Sequence, residues 1–138
     1  MSALVELAEH TSSPIGQYYA AGTLFLMTTN AEAENAIVAE IVKVGGISML
    51  MELLLNGDRE KVLVDRFDVR CQAALVLINL IAESVETRAH VRGTYLSNVR
   101  MVMESTPNTS AAKSPVEKLY ADLVATPEVH TLCFTVSR

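Results

Sequence analysis

The stretch "IVKVGGISMLMELLLNG", Ile41–Gly57, breaks one apolar run with two glycines and resumes at once with another. Ile37, Val38, Ile41 and Val42 form a stripe at helical spacing that stops at Gly45, and Thr29, three residues before Glu32, has the spacing of a capping box for that helix. Ile47, Leu50, Met51 and Leu54 repeat the spacing at i, i+3, i+4 and i+7, until Asn56-Gly57 closes the run. Two helices meeting at a sharp corner satisfy both stripes. Glycine suits the corner because it reaches positive φ without the steric cost of a Cβ.

Downstream, "RCQAALVLINLIAE", Arg70–Glu83, carries apolar residues on almost every face, as a helix packed on several sides must. A strand over "LVLINLI" is the alternative, but the preceding Ala pair, the length and the missing turn residues favour helix. All four prolines follow Ser or Thr, as Ser13-Pro14, Thr106-Pro107, Ser114-Pro115 and Thr126-Pro127. That pattern has the form of proline-directed phosphorylation sites. The preferred reading is a set of helix starts, with Ser or Thr at the N-cap and Pro in the first turn, and Ser114 to Glu117 completes a capping box. "STPNTSAAKSP", Ser105–Pro115, is a polar loop between two helices.

The chain of 138 residues, half apolar and one fifth charged, fits one globular domain with a real core. Its longest uncharged span, Thr11–Ala31, holds Pro14, Gly16, Gln17, Gly22 and several hydroxyls, so no membrane span is expected. "MSALVELAEH" places Glu6 and Glu9 where a signal peptide needs a basic region, which points to an intracellular, cytoplasmic protein. Cys71 and Cys133 form no framework, and Cys71, in an apolar helical run, is expected to act as a small reduced hydrophobe. Residues 1–42 hold five glutamates and no Lys or Arg, accounting for the formal charge of −5. Between Thr87 and Met103 lie Arg88, Arg92 and Arg100 without an acid, too few cations for a nucleic-acid surface on an acidic chain.

The sequence also repeats itself. "LVEL" at Leu4–Leu7 returns as "LMEL" at Leu50–Leu53 and, degenerate, as "VRMV" from Val99; "AAGTLFLM" at Ala20–Met27 matches "AALVLINL" at Ala73–Leu80. The spacings of 46, 49 and 53 residues are close to the period of helical solenoid repeats.

The order of short helix, Gly-Gly corner, amphipathic helix and long buried helix with "AALVLINL" resembles the armadillo repeat family. "NAIVAEIVKVGGISMLMELL" looks like its first two helices and "QAALVLINLIAE" like its third. The resemblance implies an all-α fold for residues 1–138, a right-handed α-solenoid of about two to three armadillo-like three-helix repeats, incomplete at both ends. A partial repeat, 1–28, would hold a second helix at Ser2–His10 and a third at Pro14–Thr28. A complete repeat follows at 31–83, then a degenerate repeat at 86–126 with helices near Glu86–Arg92, Thr94–Glu104 and Pro115–Ala125, and a tail at 127–138. Two departures from the family pattern, the long linker Asp58–Asp68 and a last helix without an Ala-rich core, leave HEAT-like or irregular helical packing as an alternative.

Catalytic chemistry has few carriers. His10, His90 and His130 are dispersed, and a Cys-His pair would have to be assembled across the fold from Cys71 or Cys133. His130 and Cys133 share a helical face by spacing, but zinc needs three or four ligands. Gly45-Gly46 lacks the Lys-Ser/Thr ending of a phosphate loop. No catalytic residue, metal or cofactor is expected.

Binding has better candidates. Gln72, Leu75, Asn79 and Glu83 fall on one helical stripe. Asn79 is the one strongly polar residue within "AALVLINLIA", and it is either a core amide linking adjacent helices or, as the armadillo resemblance implies, a groove residue that hydrogen-bonds the backbone of an extended peptide. The preceding repeat places Tyr19, Gly22, Leu26 and Asn30 at the equivalent positions. Leu26 replaces the asparagine, and the chain has no Trp, so the aromatic shelf of importin-alpha-like receptors is missing. The stripe reads as an apolar protein-docking surface anchored by Tyr19. The expected function is a non-enzymatic scaffold or adaptor that binds a protein or extended peptide on its concave face. The alternative is a structural subunit of a larger assembly or homo-oligomer, self-associating through the apolar ends "ALVEL" and "HTLCFTV".

Overall fold

The computed structural model describes residues 14–29, 34–56 and 69–125, in which six helices and no strand are found. In chain order they are α1 (Pro14–Thr28), α2 (Glu34–Lys43), α3 (Gly46–Asn56), α4 (Val69–Glu83), α5 (Val85–Ser105) and α6 (Lys113–Val124). The expected helix Ser2–His10, Glu32 of the first capping box, the linker Asp58–Asp68 and the tail 127–138 lie outside the described residues.

The two glycines of the α2–α3 corner serve different needs. Gly45 has φ +82°, the left-handed region that favours glycine, and its N–H donates to Val42 O at 3.2 Å as α2 ends. Gly46 is needed for space. A Cβ there would collide with the Ile41 side chain and stand 2.8 Å from the Ile41 carbonyl oxygen. The corner therefore redirects the chain from α2 into α3, and Ile41, Leu50, Met51 and Leu54 are fully buried.

Helix α4 is the centre of the domain and packs against all five of the others. Apart from Cys71, Gln72, Leu75, Asn79, Ala82 and Glu83, every one of its residues is buried, including Ala74, Leu77, Ile78 and Ile81. Side-chain bonds fix its neighbours' directions. Gln72 meets Tyr18 and Asn79 meets Thr28, so α1 and α4 run parallel, and the two copies of the internal repeat lie side by side. Arg70, at the start of α4, donates to Thr106 at the end of α5, and Lys113, at the start of α6, donates to the Met103 carbonyl of α5 at 2.6 Å. Arg88, near the start of α5, reaches the last turn of α6. Helix α5 is thus antiparallel to both α4 and α6, which run parallel to each other.

Three details depart from the sequence expectation. The helices expected at Glu86–Arg92 and Thr94–Glu104 are one continuous helix, α5, of 21 residues. Ser84 caps it, accepting from the Thr87 N–H at 3.1 Å, and Val91, Val99 and Val102 pin its length to the core. Gly93 sits exposed at mid-helix, and a glycine there costs about 1 kcal/mol against alanine, too little to break a helix so anchored. Second, Thr106 ends α5 rather than starting a helix: its N–H and hydroxyl both donate to Val102 O, at 3.0 and 2.6 Å, and the residue is buried. Third, no Ser114–Glu117 capping box forms. Helix α6 begins two residues earlier than expected, at Lys113, with Ala112 as an N-cap that makes no side-chain bond, while Ser110 Oγ accepts from the Ala112 N–H.

Three predictions test this architecture. Gly45→Val and Gly46→Ala should each destabilise the protein, the first through strain at positive φ of about 1–3 kcal/mol and the second through collision with Ile41. Gly93→Ala should stabilise it by about 0.5–1 kcal/mol, because open space surrounds that position in an unbroken helix. Urea denaturation reads both signs, and a destabilised Gly93→Ala protein would mean a broken α5. Leu77→Ala, at a fully buried position of α4, should cost about 2–5 kcal/mol by the same measurement; a surface-like loss below about 0.5 kcal/mol would remove α4 from the core.

Candidate functional site

The sequence stripe on α4 is the solvent-facing arc of an otherwise buried helix. Gln72, Leu75 and Asn79 are half-buried and Glu83 is exposed. Because α1 lies parallel beside α4, the candidate residues of both helices meet along one seam. Gln72 Nε2 donates to the Tyr18 hydroxyl at 3.2 Å, and Gly22 faces the Gln72 amide, where even an added Cβ would keep ordinary contact distance. At the other end Asn79 Nδ2 donates to Thr28 Oγ1 at 2.9 Å, and the Thr28 hydroxyl donates onward to Phe25 O.

This geometry places Asn79 in the linking role that the sequence left as one of two alternatives. One amide hydrogen is committed to α1, while an asparagine offers a second donor and an acceptor. Gln72 is less well satisfied. Its Oε1 is buried and has no hydrogen-bond partner among the described residues, a deficit that costs about 1–3 kcal/mol in general.

Tyr19 and Leu26 stand beside the seam on the outer face of α1, 59% and 69% exposed, large fractions for side chains of this size. They lie two helical turns apart, with Thr23 between them bonded back to the Tyr19 carbonyl and the Tyr19 ring edge-on to Tyr18. Asn30 falls outside the described residues. Glu83 is the stripe member that the structure separates from the seam, since it lines a different cleft.

That second cleft was not legible in the sequence. It lies between α2, the end of α4 and the start of α5, has a volume of about 400 Å³, and is lined by Val38, Val42, Lys43, Glu83, Glu86 and Thr87 among others. Its residues come from two segments far apart in sequence, 38–43 and 83–87, so no local spacing announces it.

Of the arginines between Thr87 and Met103, Arg88 and Arg100 have partners in the structure and Arg92 is exposed. Arg88 Nε and an Nη donate to the Asp122 and Leu123 carbonyls at 3.2 and 3.3 Å, capping α6 with positive charge at its negative end. Arg100 pairs with Glu104 one turn on, an exposed ion pair of little energetic weight. Arg70, 6% exposed, is the buried cation among the described residues. Among the described residues no three His, Cys, Asp or Glu side chains converge as metal ligands, and no helix is long and apolar enough to cross a membrane.

No family model matches the chain, and neither a curated protein nor a solved structure matches it.

The Asn79–Thr28 bond yields a measurable expectation. Asn79→Ala removes the donor that Thr28, fully buried, receives from α4, and should cost about 0.5–1.5 kcal/mol of folding stability. An unchanged urea midpoint would show that the bond contributes nothing to the α1–α4 seam.

Proposed function

We propose that this chain is a non-enzymatic protein-interaction scaffold, built as an armadillo-like α-solenoid, which binds a segment of another protein along the α1–α4 face. The observation that carries the reading is the parallel pairing of the two copies of the internal repeat, with large side chains left outside the pair. Parallel packing of equivalent helices is what stacked three-helix repeats require, since each repeat buries its face against the next. Helix α6, parallel to α4 on its other flank, extends the row.

Tyr19 and Leu26 supply apolar area that this fold leaves uncovered, and an aromatic anchor with a polar tip is the type of residue that carries binding energy at interfaces. Beside them Gln72 and Asn79 offer amides that can meet the backbone of an extended segment. Asn79 would then serve twice, holding α1 with one hydrogen and the bound segment with its remaining groups. Intracellular, cytoplasmic action and the absence of catalysis belong to the same proposal.

The test is selection of peptides from a displayed random library against the whole chain, followed by affinity measurement on variants. Tyr19→Ala and Leu26→Ala should each weaken the selected peptides by about tenfold, the effect of losing 1–2 kcal/mol of anchor, with the melting temperature unchanged because both side chains are exposed. Undiminished affinity in the double variant would end the proposal for this face. If sedimentation shows the chain's mass rising with concentration, and the double variant abolishes the rise, the bound segment is another copy of the chain.

A further inference from the structure

The cleft between α2, the end of α4 and the start of α5 has three properties of a receptor for one kind of side chain. Its apolar wall is Val38 and Val42, the latter 40% exposed although it is aliphatic. Two carboxylates, Glu83 and Glu86, stand at its rim against one cation, Lys43, and all three are exposed. Among the described residues Lys43 forms no ion pair with either acid, so the negative charge is not neutralised in place.

Thr87 adds an observation independent of the charges. It is 6% exposed and lines the cleft, and its backbone N–H is used by Ser84 Oγ. Its hydroxyl has no hydrogen-bond partner among the described residues. Gln72 Oε1, not this hydroxyl, is the fully buried atom without a partner among the described residues, so the Thr87 oxygen keeps contact with solvent and is open to a donor that enters the cleft.

We propose that this cleft receives an arginine side chain from a partner polypeptide. Its aliphatic stem lies on Val38 and Val42, its guanidinium sits between Glu83 and Glu86, and one N–H donates to the Thr87 hydroxyl. Arginine suits such a site better than lysine because a planar fork of five donors can serve two carboxylates and a hydroxyl together, and because guanidinium is more weakly hydrated than ammonium. The volume of about 400 Å³ is ample for one long side chain. The inference rests on the reading of the chain as a protein-binding module, but it uses none of the residues proposed for the α1–α4 face.

The experiment is a backbone-amide NMR titration of the whole chain with three capped tripeptides, acetyl-Leu-Arg-Val-amide, its lysine analogue, and its citrulline analogue, which keeps the shape of arginine without the charge. Saturable shifts at Lys43, Glu83, Glu86 and Thr87 are expected with the arginine peptide, weaker ones with lysine and none with citrulline. Glu83→Gln combined with Glu86→Gln should raise Kd by about three- to tenfold, and higher salt should raise it in the unsubstituted protein. Lys43→Ala, which removes the competing cation, should lower it by about twofold. Equal shifts with citrulline, or a Kd indifferent to the glutamine pair, overturn the proposal. Shifts that appear instead at Tyr19, Leu26 and Asn79 also overturn it, while supporting the α1–α4 face. Because Tyr19→Ala and Leu26→Ala leave the cleft untouched, failure at one surface is distinguishable from failure at the other.

Discussion

A helix with apolar residues on all but one narrow arc cannot be stable in water by itself; it must be surrounded. Helix α4 imposes that requirement here. Its buried residues Ala73, Ala74, Val76, Leu77, Leu80 and Ile81 point in most radial directions, so α1 and α6 must flank it, with α2, α3 and α5 closing the remaining side. The small residues matter as much as the large ones. Ala73 and Ala74 on α4 and Ala20 and Ala21 on α1 are at most 2% exposed, and short side chains let two parallel helices approach closely over their length. What stays open is the arc of the amides, where Gln72 and Asn79 are half-buried and each donates to a hydroxyl of α1.

That demand explains why the centre of the domain was readable in the sequence and its margins were not. The Gly-Gly corner, the all-round apolar pattern of Arg70–Glu83 and the recurrence of its motif in Ala20–Met27 are local signals, and each corresponds to a helix of the structure. The stripe Gln72, Leu75, Asn79 was also legible, since a 3.6-residue period sorts the faces of a helix once its burial is known. The continuity of α5 was not. Gly93-Thr94 looks like an interruption in one dimension, while the forces that hold the helix through it, the Ser84 cap and the burial of Val91, Val99 and Val102, are partly distant in sequence. Ser114 misled for a related reason. Its Pro and Glu have the spacing of a helix start, but Lys113 is drawn into the helix, where its ammonium group reaches the Met103 carbonyl across to α5.

The α5–α6 pair shows how charged residues were absorbed by structure. Each helix supplies a cation to the other's C-terminal carbonyls: Arg88, from the first turn of α5, holds Asp122 and Leu123, and Lys113, from the first turn of α6, holds Met103. Antiparallel packing is a condition of this exchange, because it brings the start of each helix to the end of its neighbour. Each cation also meets the negative end of a helix dipole, a contact worth roughly 0.3–1 kcal/mol when exposed and more when partly buried. The sequence gives no sign of such a clasp, since its partners lie ten to thirty-five residues apart. It shows only a few basic residues in helical segments, which is also how an outward-facing basic patch would begin.

The two open surfaces differ in what they leave unsatisfied, and so in what they would recognise. Along the α1–α4 seam the surplus is apolar area and partly used amides, which favours partners that bring backbone and hydrophobic side chains with little charge discrimination. In the α2–α4–α5 cleft the surplus is negative charge and one hydroxyl above an aliphatic wall, which favours a single cation with a long stem. Glu83 links them, ending the α4 stripe and lining the cleft. A segment lying along the seam toward the C-terminal end of α4 would therefore run toward the cleft. If both surfaces serve one partner, apolar contacts would supply most of the affinity and the charged contact most of the orientation, because exposed ion pairs contribute little energy but discriminate strongly against the wrong sign.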